Sequence, residues 1–143
     1  MSTEAITADA TDLVGVVGSL YAAFGRGDVP FILDQLADDV DWESGIRPIG
    51  LPWLQPGSGK AHVAGFFRSL GENLEFTLFE PLTIARSGND VVAVIREAAT
   101  ARRTGIAVQE DLYAHCWRFG PDGKVQSFRH IGDWHHQEVA YQA

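Results

Sequence analysis

Apolar positions along the chain change period three times, and each change marks a different kind of element. Leu13, Val16, Val17, Leu20, Tyr21 and Phe24 recur at i, i+3, i+4 and i+7, the stripe of an amphipathic helix. Gly25 and Gly27 stop it. Asp28 then suits the N-cap of a second, short helix with Pro30 in its first turn and Phe31, Ile32 and Leu36 facing inward. At residues 39–44, DVDWES, the period becomes two: Val40, Trp42 and Ser44 face one way, Asp41 and Glu43 the other. Residues 45–60 are rich in proline and glycine and read as a long loop carrying an exposed Trp53. Ser58 is placed to cap a third helix running to Leu70, with Val63, Phe66, Phe67 and Leu70 buried and Gly71 after the last turn.

Beyond Leu74 the turn signals SGND (87–90), RRTG (102–105) and GPDGK (120–124) separate four strand-like runs, at about 74–86, 90–103, 106–119 and 124–134. Three helices followed by an antiparallel meander predict an α+β domain, with the helices on one face of a curved sheet. The 143 residues fit a single domain, 1–143, with a flexible leader at 1–8.

Charge narrows the range of partners. A net charge of −8, with Arg102–Arg103 as the one basic cluster, repels nucleic acid and anionic membranes. A single cysteine, Cys116, leaves no internal disulfide, and the leader lacks the apolar run of a signal peptide, so a cytoplasmic location is expected. No apolar run approaches the ~20 residues of a membrane helix.

Alternation within the strands selects the polar residues that point inward. Tyr113, His115, Trp117 and Phe119 share a face, and Glu97 shares one with Val91, Ala93, Ile95 and Ala99. Arg96 sits opposite, among Val92, Val94 and Ala98. Near the end, FRHIGDWHH puts Arg129, Ile131, Asp133 and His135 on one face and Phe128, His130, Gly132, Trp134 and His136 on the other. Gly132 is a possible bulge at which the faces exchange. On a continuing strand His130 and His136 lie about 20 Å apart, too far to share a metal. His135 and His136 are expected on the surface, with neither metal nor cofactor.

The angled helix pair, RGD after the first helix, LADDVDWE, and FGPDGKVQSFRHIGD together resemble the nuclear transport factor 2-like superfamily, in its SnoaL-like and ketosteroid-isomerase-related branch. That resemblance implies a cone-shaped, strongly curved, mostly antiparallel sheet with three helices from the N-terminal half on its concave face. It also implies an apolar pocket at the open end and a homodimer through the sheets. The steroid-isomerase groups do not carry over. The oxyanion tyrosine falls at Leu20, with Tyr21 one residue out of register; the base aspartate falls at Ser44 and the oxyanion aspartate at His115. Limonene-epoxide-hydrolase-like members match in part, with Asp133 closing an R-x-x-x-D segment that begins at Arg129. Glu97 then falls at the middle-strand aspartate, and Ile95 replaces its arginine.

The catalytic candidates are accordingly Asp133, His115, Glu97 and Arg129. Three of them have a structural alternative: a strand-end carboxylate for Asp133, a core histidine bonded to a tyrosine or carbonyl for His115, an ion pair with Arg129 or Arg96 for Glu97. Trp42, Tyr113, Trp117, Tyr21 and Phe67 are candidate ligand contacts, with Trp53 as a lid. The function they suggest is binding of a small hydrophobic molecule, with metal-free acid–base isomerisation, cyclisation or hydration. The alternative is a non-catalytic ligand-binding or assembly module.

Overall fold

The computed structural model describes residues 12–47 and 49–143; the leader expected at 1–8 lies outside them. Helix α1 (Leu13–Gly25) begins where the Asp12 carboxylate accepts from the Gly15 N–H at 2.9 Å, and α2 (Val29–Asp34) where Asp28 accepts from Phe31 N–H at 3.1 Å. Strand β1 (Leu36–Trp42) follows, then a loop containing the two-residue strand β2 (Gly57–Ser58), and helix α3 (Lys60–Asn73). The meander is β3 (Leu74–Ser87), β4 (Asp90–Ala101), β5 (Ala107–Phe119) and β6 (Val125–Ile131), and helix α4 (His135–Gln142) comes last.

One curved, unclosed sheet of order β2-β1-β6-β5-β4-β3 results, antiparallel except where β1 runs parallel to β6. Helices α1 and α3 pack over the sheet, and α4 lies against β4 and β5. The inner face is clearest on β4, where Val91, Ala93, Ile95, Glu97, Ala99 and Ala101 are buried and every intervening residue is not. A bulge between Ile95 and Glu97 shifts the β4–β5 register and sets Glu97 directly opposite Glu110. Among the described residues no helix is long and apolar enough to cross a membrane.

Four details differ from the sequence expectations. Ser58 does not cap α3; it pairs with Asp41, and Gly59 takes the cap position without a side-chain bond, at φ +90°, which suits glycine. The helix also runs through Gly71 to Asn73. Trp53 is buried, because Leu51, Trp53 and Leu54 turn into the core. Finally, β6 ends at Ile131, and residues expected to extend it form α4, a fourth helix, with His135 and His136 in its exposed first turn.

Candidate active site

Register brings the site together. On β5 the inward residues are Tyr113, His115 and Trp117; His130 of β6 pairs with His115, and Phe128 with Trp117. Tyr21 and Phe24, one turn apart on α1, meet them from above. Phe66, Phe67 and Leu70 of α3 close one side, and Trp53, Trp134 and Gln137 close another. The cavity holds about 60 Å³, room for a handful of water-sized groups. Its wall is mostly aromatic carbon, broken by three polar pairs.

The first pair is a directed chain. Trp117 Nε1–H donates to the Tyr21 hydroxyl oxygen at 3.0 Å, and that hydroxyl lies 2.8 Å from His115 Nδ1. An indole N–H only donates, so the hydroxyl proton is free to go to Nδ1 and the imidazole proton is assigned to Nε2. His115 Nε2 is buried with no hydrogen-bond partner. Burial holds the His115 pKa well below its ordinary value, with a smaller contribution from His130, so the ring is neutral. Burial likewise raises Tyr21, against the hydrogen bond from Trp117.

The second pair is Glu43 with His130. Glu43 follows β1 at φ +60°, outside the region most non-glycine residues adopt, and this turn swings its side chain to full burial instead of letting it alternate outward. Its carboxylate accepts from the His130 backbone N–H at 2.7 Å and stands 2.6 Å from His130 Nδ1. With Nδ1 held by the carboxylate, Nε2 is the ring nitrogen left for chemistry. The His115 and His130 rings meet edge to face, centroids 4.6 Å apart.

Glu97 and Tyr113 form the third pair. Burial pushes Glu97 up to about 7, opposed by the hydrogen bond from Tyr113 and by His130, and reinforced by the charge of Glu110. Burial and the Glu97 carboxylate in turn raise Tyr113 well above its usual range. At the mouth, Trp53 Nε1–H donates to Gln137 Oε1 at 3.3 Å, and its ring meets Tyr141 edge-on.

Of the residues singled out from sequence, His115, Glu97, Trp42, Tyr113, Trp117, Tyr21, Trp53 and Phe67 all line this cavity. Asp133 and Arg129 do not. Asp133 is exposed and accepts from the His135 N–H at 3.0 Å; Arg129 is exposed on the reverse face, paired in register with Cys116. The expected placement of both in the pocket is corrected: alternation runs unbroken through Arg129, and the chain leaves the sheet before Asp133. Consequently Arg129, Glu97 and Asp133 do not converge as an epoxide-hydrolase set. Glu97 makes no ion pair with Arg129 or Arg96, whose partner is Asp111 at 3.7 Å. Sequence reasoning missed Glu43 and Gln137 and left His130 without a role. Alternation placed His130 beside Phe128, but nothing in the pattern announces the turn at Glu43. Among the described residues no three His, Cys, Asp or Glu side chains gather as a metal site.

An aromatic cavity under a curved sheet, holding a few paired polar groups, defines the nuclear transport factor 2-like class of domain. Within it, residues 17–128 match the SnoaL-like domain, and the chain belongs to that family. A nuclear transport factor 2-like protein of unknown function from Burkholderia pseudomallei K96243 is 27% identical, with TM-score 0.79 over 93% of this chain and 99% of that one. TerC, co-crystallized with polyporic acid, is 22% identical, with TM-score 0.78 over 93% and 100% of the two chains. A candidate polyketide cyclase from Xanthomonas campestris pv. campestris is 18% identical, with TM-score 0.72 over 90% and 96%. No curated protein sequence gives a significant match.

Proposed function

We propose that this protein is an acid–base isomerase or cyclase for a small, flat, hydrophobic carbonyl compound. The observation that carries the reading is the edge-to-face contact of two histidines whose outer partners give them opposite roles. Glu43 holds His130 at Nδ1 and leaves Nε2 as a general base. Tyr21 fixes His115 as a neutral N–H donor with no acceptor in the protein, suited to an oxyanion.

In the reaction, His130 Nε2 takes a proton from the carbon beside the carbonyl, and the electron pair of that C–H bond becomes an enolate. The oxygen of the enolate accepts from His115 Nε2–H. The proton then returns to a different carbon, giving an isomer, or the enolate carbon attacks a second carbonyl of the same molecule, giving a ring. Glu97, with its pKa near 7, supplies or receives a proton at neutral pH. The aromatic walls exclude water and accommodate a planar substrate. The names of the cyclase-like neighbour and of TerC's co-crystallized compound support this choice of substrate class.

The test is hydrogen–deuterium exchange at the acidic carbons of a panel of flat enolisable ketones in D₂O, followed by NMR and mass spectrometry. Wild-type protein is expected to label at least one compound. His130→Ala and His115→Ala are expected to lose that labelling. A compound that stabilises the fold yet is recovered unlabelled by the wild type would replace this reading with a binding module.

A further inference from the structure

Glu97 is 7% exposed in the wall of the cavity, and a second set of titratable groups, outside the histidine pair, runs from it towards the surface. Glu97 lines the main cavity and also a small second void under α4, where Glu110, Gln137 and Ala140 are neighbours. Glu110 is the residue directly opposite Glu97 across the β4–β5 pair, and both face inward because the bulge after Ile95 brings them into the same register. Directly opposed side chains have Cβ atoms about 5 Å apart, within reach of carboxyl contact.

Glu110 in turn meets the first turn of α4. Its Oε1 stands 3.3 Å from His136 Nδ1, and the His136 side chain is 70% exposed while that of Glu110 is 17% exposed. Glu110 Oε1 is buried and makes no hydrogen bond of good geometry. Two facing carboxyls with an imidazole at the outer end thus span the distance from cavity wall to solvent.

We propose that Glu110 and His136 are a proton conduit that loads and unloads Glu97 from the α4 side of the sheet. Inward transfer breaks the Nδ1–H bond of a protonated His136 and forms an O–H bond on Glu110. That proton passes to the Glu97 carboxylate, leaving Glu110 charged and Glu97 neutral in the cavity wall; the reverse order empties it. No oxidant or reductant is involved, and one proton moves per cycle. The groups facing this line are Tyr113 and His130 around Glu97, and Asp111 and Asp133 around Glu110. Burial, reinforced by the charges of Asp133 and Asp111 and opposed by His136, raises Glu110 and favours its holding a proton in transit.

The use of the conduit rests on the acid–base reading above, but its existence is testable without substrate. A photolysed caged acid delivers protons to the full-length protein, and time-resolved infrared spectroscopy follows the neutral carboxylic acid band of Glu97, assigned by its absence in Glu97→Gln. Glu110→Gln and His136→Asn are expected to slow its appearance by about 10²-fold or more, the lower end for losing one positioned acid–base group. Glu110→Asp, which keeps the carboxyl, is expected to restore most of the rate and guards against a merely structural effect. Rates equal to wild type in both Glu110→Gln and His136→Asn would overturn the proposal. A working conduit in a protein that labels no ketone would overturn only the catalytic reading.

Discussion

The Tyr21 hydroxyl and His115 Nδ1 lie 2.8 Å apart although 94 positions separate them in sequence, and this contact gives Nδ1 its partner while Nε2 has none. Tyr21→Phe removes an acceptor from Trp117 Nε1 and a donor from His115 at once. Its expected cost is about 1–3 kcal/mol, from two buried polar groups left unpaired. Urea denaturation measures the loss, and ¹⁵N spectra of the imidazole are expected to show His115 no longer held in the Nε2–H tautomer.

Glu43→Gln keeps the size of the side chain but replaces the carboxyl group that holds His130 at its backbone N–H and at Nδ1. Turnover of a substrate found by the exchange screen is expected to fall by about 10²–10⁴-fold, the usual weight of one acid–base component. Binding of the same compound, followed by calorimetry, is expected to change little.

Glu97 gives a definite pH dependence. Its folded value of about 7 lies above its ordinary 4.5. Its contribution to stability is therefore full below pH 4.5, falls as pH rises towards about 7, and is flat beyond. His115 acts in the opposite sense: held neutral by burial, it stabilises the fold above its ordinary 6.5 and loses that contribution as acid protonates the unfolded chain. Glu97→Gln is expected to stabilise the protein at pH 8 by up to about 3 kcal/mol and to steepen the decline in acid, measured by denaturation at a series of pH values.

Gln137 is the acceptor that holds Trp53 Nε1–H at the mouth. Gln137→Ala is expected to raise the hydrogen-exchange rate of that indole N–H, resolved as its own NMR signal, while Trp117 Nε1–H, bonded to Tyr21 in the interior, stays slow. Equal acceleration at both would mean that the fold had loosened as a whole.

On the reverse face of the sheet Leu112 and Ile131 are 75% and 51% exposed, and Ile131 continues across Ala114 to Val94 in register. We infer that a second copy of the chain covers this apolar strip. Light scattering is expected to give a dimer for the wild type and a monomer for Leu112→Asp/Ile131→Asp. A wild-type monomer at micromolar concentration would refute it.

Periodicity carried the helices, the meander and most of the cavity wall, because the strands alternate cleanly and their inward residues are large and aromatic. His115 and Glu97 were visible as polar breaks in apolar faces. Glu43 was not, since its inward turn depends on a positive φ at a residue other than glycine, which no period of two or 3.6 records. Trp53 was misread for a related reason: a proline-rich loop predicts its own irregular backbone but not the helix α4 that covers it. That helix escaped notice because HHQEVAYQ is short and follows a strand without a side-chain cap.

The sheet order β2-β1-β6-β5-β4-β3 also bears on how the molecule assembles. The strands β3 to β6 follow one another through short turns and pair in sequence order, so β1, with β2 beside it, is the part of the sheet that joins from far away in sequence. Pairing β1 with β6 closes a loop from Leu36 to Val125, the long-range contact of the sheet, and closing a loop of that span is slow. Because Glu43 follows β1 and His130 lies on β6, that same pairing brings the carboxylate to the imidazole. A chain in which β1 has not yet docked thus holds both histidines on one hairpin but leaves His130 without its carboxylate.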